Sequence, residues 1–130
     1  MPGPVVRVRN ESGLTLIEVL IASVLLLLLV TEIAGFFARG RMAMVEEGRK
    51  RTALGLATAE LERLEALPLD GIRNANDRLD VAGWRYDRTT RVDKDVPEAG
   101  LVHATTQVSW STRAGKSRAV TLEASYGAPR

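Results

Sequence analysis

The chain has 130 residues, and its 18 basic against 16 acidic side chains leave a formal charge of only +2. That balance does not call for a polyanionic partner. There is no cysteine, which excludes disulfides, thiolate metal sites and cysteine nucleophiles.

Residues 1–13 are polar, broken by Pro2, Gly3 and Pro4, with positive charge at Arg7 and Arg9. They read as a disordered or processed segment. Residues 14–37 (LTLIEVLIASVLLLLLVTEIAGFF) are almost wholly apolar. Their length is close to the ~20 residues that a helix needs to cross a bilayer. Two acids, Glu18 and Glu32, bracket the uncharged stretch Val19 to Val30. An acid near the bilayer centre costs about 2.5–3.5 kcal/mol, less towards the interface. Glu32 lies near the far end and can reach headgroups. Glu18 sits inside the apolar run and needs an explanation.

The helical pattern continues over residues 38–67, where no proline intervenes. Leu54, Ala57, Leu61 and Leu64 recur at 3-4-3 spacing, the period of one helix face. Glu60, Glu62, Arg63 and Glu65 are expected on the other faces. Pro68 and Gly71 stop the run. Gly40, Gly48 and Gly55 each weaken it by about 1 kcal/mol relative to Ala.

Residues 68–130 change period. Asp70 to Asp80 reads as a loop. After it, Trp84, Tyr86, Arg88, Thr90 and Val92 alternate along a first candidate strand. Val102, Ala104, Thr106, Val108 and Trp110 mark a second, and Val120, Leu122, Ala124 and Tyr126 a third. Lys94 to Gly100, with Pro97, links the first two, and Thr112 to Ser117 bends the chain at Gly115. The expected fold class is therefore α+β. A long N-terminal helix, apolar in its first half and amphipathic in its second, packs on a small antiparallel sheet of about three strands.

Little in this sequence carries catalytic chemistry. His103 is the only histidine and falls within a strand. Asp93, Asp95 and Glu98 read as a solvated turn rather than a calcium site. Ala114–Ser117 (AGKS) lacks the preceding glycine of a phosphate loop and follows a strand instead of opening a helix. Trp84, Tyr86, Trp110 and Tyr126 read as core or sheet-face aromatics. With Arg85, Arg88, Arg91, Arg113 and Arg118 they also describe a basic aromatic surface of the kind that binds single strands, although Asp87, Asp93 and Asp95 dilute its charge. No cofactor, metal or enzymatic activity is expected.

The apolar segment has three readings. It is an ordinary single-pass anchor, a secretory signal peptide, or something set by Gly13. Against the signal peptide, no A-x-A site follows the run and its helix continues onward. Gly13 stands at the junction of polar leader and apolar segment, with an acid, Glu18, a short way beyond it.

Ser12-Gly13-Leu14-Thr15-Leu16-Ile17-Glu18-Val19-Leu20 resembles the class III signal of type IV pilins and type II secretion pseudopilins. The resemblance implies cleavage between Gly13 and Leu14 by a prepilin peptidase, then methylation of the new Leu14 amine. It also implies that Glu18 meets such an amine, on a neighbour or on its own chain, during assembly. The family usually has Phe after the cut and often a base before the glycine; here Leu14 and Ser12 stand there. Residues 53–67 (ALGLATAELERLEAL) and the ending QVSWSTRAGKSRAVTLEASY look like PilV-type minor pilins and the I-type (GspI-like) minor pseudopilins.

What the resemblance implies is a non-enzymatic minor pilin that primes a type IV pilus or sits at its tip. The alternatives are a minor pseudopilin of type II secretion, a DNA-binding competence pilin and a simple anchored binding domain. The implied partners are other pilins or pseudopilins through the N-terminal helix, the prepilin peptidase/methyltransferase, the inner-membrane assembly platform and, before assembly, lipid. Nucleic acid is not expected. The implied location is the bacterial inner membrane with the C-terminal domain in the periplasm, then the filament. One count points the other way. Arg39, Arg41, Arg49, Lys50 and Arg51 follow the apolar run, whereas only Arg7 and Arg9 precede it. The positive-inside rule favours the opposite orientation.

Overall fold

The computed structural model describes residues 1–3, 13, 15–95 and 98–127. Its elements in order are α1 (Leu16–Glu65), a single 3₁₀ turn (Leu69–Gly71), β1 (Ala75–Val81), β2 (Trp84–Lys94), β3 (Leu101–Ser111) and β4 (Ser117–Gly127). The chain divides into two units, Met1–Arg41 and Met42–Arg130.

In the first unit the helical residues are exposed almost throughout, with Leu27 at 64% and Phe36 at 69%. This part of α1 contains, among the described residues, the one stretch long and apolar enough to cross a membrane, and none of that stretch is buried in the chain. A lipid-embedded helix must satisfy its polar groups internally. The two hydroxyls here do so. Ser23 Oγ donates to the Val19 carbonyl at 2.7 Å, and Thr31 Oγ1 donates to that of Leu28 at 2.8 Å.

The second unit is an α+β layout in which the later turns of α1 pack on a four-stranded antiparallel meander, β1-β2-β3-β4. Alternation builds it. The even-numbered residues of β2, β3 and β4 face the helix, and Tyr86, Val102, Ala104, Val108 and Trp110 are buried there. One core cluster joins Ala53 and Ala57 of α1 to Tyr86, Val108 and Trp110. A second joins Leu64 to Val102, Ala104 and Ile72, the last delivered by the 3₁₀ turn after Pro68.

Two expectations are corrected here. The sheet has four strands rather than about three, because β1 lies within the stretch read as a loop. Its sequence ANDRLDV is mostly polar, and only Ala75, Leu79 and Val81 are half-buried. The β1–β2 turn is also atypical. Ala82 (φ 51°) and Gly83 (φ 77°) both take positive φ, the geometry of a two-residue hairpin that usually carries Asn-Gly. The second correction is Glu60, expected on an outer helix face. It is 1% exposed and belongs to the buried row Ala53, Ala57, Glu60, Leu64. Its charge is neutralised by arginines, which lets it occupy a core position.

Candidate functional site

The N-terminal signal is built around the start of α1. Gly13 is exposed, and Leu14 lies outside the described residues. Thr15 caps the helix. Its Oγ1 accepts from the Glu18 N–H at 3.3 Å, and its carbonyl accepts from the Glu18 and Val19 N–H groups at 3.0 and 3.1 Å. Thr15 and Glu18 thus have the T-x-x-E spacing of a capping box. The arrangement places the Glu18 carboxylate in the first turn, where the helix dipole favours negative charge. Glu18 and Glu32 are both exposed, and neither has an ion-pair partner among the described residues. Among the described residues, only the helix N-terminus offsets the Glu18 charge.

Residues 8–31 match the family model for the prokaryotic N-terminal methylation motif. That span contains the Gly13–Leu14 junction, Thr15 and Glu18. Its N-terminal segment is the class III prepilin signal of type IV pilin-like proteins. No curated protein and no solved structure matches the chain.

Two charged networks tie the helix to the sheet in the folded unit. Glu60, on α1, accepts two hydrogen bonds from Arg63, at 3.0 and 2.7 Å, and pairs with Arg88 of β2 at 3.2 Å. Arg88 also holds Asp77 of β1 at 2.8 Å, so one network ties the helix to two strands. The hydrogen bond to Glu60, and then its charge, push the Arg63 guanidinium above its ordinary range. Nearer the start of this unit, Arg49 is 4% exposed and stacks 3.3 Å from the centroid of Trp84. It donates to the Ser111 carbonyl at 3.4 Å and pairs with Glu46 at 3.5 Å. Glu46 in turn accepts from Trp110 Nε1 at 2.9 Å. Neither network was anticipated from sequence. The signal available was the i, i+3/i+4 spacing of Arg49, Ala53, Ala57, Glu60 and Leu64, which a hydrophobic count passes over because it includes charges.

The other singled-out residues fall as follows. Ala57 and Leu64 are buried and Leu54 and Leu61 half-buried; Leu54 belongs to neither core cluster. His103 meets Ser125 Oγ at 3.0 Å through Nδ1 and Glu123 at 3.8 Å through Nε2, on the open face of the sheet. Asp95 accepts from the Gly100 N–H at 2.9 Å and serves the β2–β3 turn. Among the described residues, Asp93, Asp95 and Glu98 do not come together as a metal-holding group. The aromatic faces are largely spoken for. Tyr86 and Trp110 are buried, Trp84 lies under Arg49 with Arg113 at 5.7 Å, and Tyr126 donates its hydroxyl to the Leu61 carbonyl at 2.8 Å. Arg85 and Arg88 are engaged by Asp80 and Asp77.

Proposed function

We propose that this pilin-like chain is a minor pilin of a type IV pilus, a non-enzymatic subunit that primes assembly or sits in a tip complex and so serves pilus biogenesis, twitching motility and adhesion. The observation that carries the reading is Glu18, an acid in the first turn of an otherwise apolar helix, just past the signal glycine. Cleavage after Gly13 creates a positive amine on Leu14, next to a helix N-terminus that already bears partial positive charge. Glu18 offsets that charge. In the membrane both groups are costly alone, and pairing them between neighbouring helices fixes the axial register of the bundle. Lipid is exchanged for like helices, so apolar burial is kept when a subunit leaves the bilayer.

On this reading the prepilin peptidase/methyltransferase cuts between Gly13 and Leu14 and methylates the amine. The inner-membrane assembly platform then passes the subunit to other pilins, with its C-terminal domain in the periplasm. The basic count beyond the apolar run still argues against that orientation, since neighbouring acids contribute little to the rule, and this reading gives the N-terminal signal the greater weight.

Glu18→Ala tests the proposal. The variant is expected in the membrane at normal level but missing from sheared fibres; normal incorporation refutes the role given to the carboxylate. A second reading, minor pseudopilin of a type II secretion system, draws on the likeness of residues 53–67 to I-type pseudopilins. Deletion of the gene separates the two: loss of pili and twitching supports the first, loss of exoprotein export with pili intact the second.

A further inference from the structure

β1 and β4 are the two edges of the sheet, each paired on one side only. An edge strand offers unpaired backbone donors and acceptors, and proteins block it with charge, shortness or proline. β4 has little of this protection. It runs Ser117–Gly127 without proline and carries one base, Arg118, and one acid, Glu123. Its helix-facing row, Val120, Leu122, Ala124 and Tyr126, is only half-buried. A strand laid on this edge would satisfy the backbone and cover that row.

The sheet itself specifies which strand fits. In a four-stranded antiparallel meander the first and last strands run in opposite directions. A second copy placed beside the first, in the same orientation and with its helix on the same face, therefore presents β1 antiparallel to β4. Faces match only when odd-numbered β1 residues oppose even-numbered β4 residues, since a one-residue slip exchanges the two faces. Among the central registers, Leu79 opposite Val120 sets Val81 against Arg118 and Asp77 against Leu122. Leu79 opposite Ala124 sets Asp80 against Glu123, two like charges. Leu79 opposite Leu122 sets Val81 against Val120 and, on the open face, Arg78 against Glu123. Of the three, only this last register gives both Leu79 and Val81 apolar partners and sets a base against an acid, while it also places Asp77 against Ala124. Arg78 and Glu123 are 68% and 61% exposed, and Arg78 gives Asp87 its Nε at 3.0 Å.

We infer that β4 of one chain receives β1 of a second copy, antiparallel, in the register that sets Arg78 opposite Glu123. The lateral repeat is four strands at ~4.8 Å, or about 19 Å, with a stagger of four residues, about 13 Å along the strands, because Leu79 is in line with Arg118 within one chain. A helix of about 10–12 Å diameter fits within the lateral repeat. The contact is heterologous and does not close on itself, so it sets copies in a row. It belongs to the folded unit and does not depend on the signal or on Glu18, so the two readings fail separately.

Because the chain lacks cysteine, introduced pairs report without background. Within one chain Arg78 is in line with Ala119, so it lies three strand spacings across and four residues along from Glu123, about 19 Å in all, against the ~7 Å Cα limit of a disulfide. Oxidation of membranes carrying the full chain with Arg78→Cys and Glu123→Cys is expected to give a ladder of dimers, trimers and larger species. Arg78→Cys with Ser117→Cys, on the same face but out of register, is expected to give none beyond dimers. A second pair in register, Asn76→Cys with Ser125→Cys, reads out the charges. Adding Arg78→Glu is expected to weaken its ladder by about fivefold, through loss of an opposed pair and gain of like charges. Adding Glu123→Arg as well restores it. Absence of a ladder, an equal ladder from the out-of-register pair, or indifference to the charge reversal overturns the inference. So does cross-linking of Glu123→Cys alone to a different protein, which gives the edge another occupant.

Discussion

Arg88 of β2 meets Glu60 of α1 at 3.2 Å, and the Glu60 side chain has no solvent exposure at all. A carboxylate in that position survives only with its cations. Arg63 supplies one from the next helical turn, and Arg88 supplies the other from the sheet. The pair therefore fixes which turn of the helix lies over which strand.

Removing one partner should be far worse than removing both. Glu60→Ala leaves Arg88, 15% exposed, with Asp77 alone, and breaking a buried pair in this way costs about 3–5 kcal/mol. Replacing Glu60 and Arg88 together by Leu should recover most of that loss. Urea unfolding of the detergent-solubilised chain, followed by emission of Trp84 and Trp110, checks both. A loss below about 1 kcal/mol for Glu60→Ala would show that the network is not holding helix to sheet.

Glu60 also marks where sequence reading stopped. The α+β layout was legible because Val102, Ala104, Thr106, Val108 and Trp110 alternate cleanly, and the N-terminal signal because Gly13 and Glu18 are close in sequence. β1 was hidden, since an edge strand buried by only three half-covered side chains carries almost no period-2 pattern. Ala82-Gly83 gives no hairpin signature either. Glu60 and Arg49 were hidden because their cations and rings come from strands far along the chain, and pairing of that kind leaves no local trace.

Tyr126 predicts an alkaline limit to stability. Burial first, then the charges of Glu65 and Glu60, push its phenol above the ordinary value. The folded state therefore holds the proton more tightly than the unfolded one. Its contribution is complete below about pH 10 and is lost as pH rises from there through the folded value. Tyr126→Phe should flatten that alkaline loss while costing about 1 kcal/mol at neutral pH, because the hydrogen bond to the Leu61 carbonyl is gone. Unfolding measured across alkaline pH decides; an unchanged slope in the variant would assign the loss to another group.

The β1–β2 turn offers a gain. Ala82 holds φ 51°, a conformation costing a residue with a Cβ about 1 kcal/mol or more, whereas Asn tolerates it. Ala82→Asn should therefore stabilise the fold by about 0.5–1 kcal/mol. Gly83→Ala, at φ 77°, should destabilise it by a similar amount. Melting temperatures of the two variants should move in opposite directions.

The central claim concerns a cut and a new amine. Intact-mass analysis of the chain isolated from cells with an active prepilin peptidase tests it most directly. The account predicts a product that begins at Leu14, lacks residues 1–13 and carries one added methyl group. A chain that retains its first thirteen residues under those conditions would contradict it.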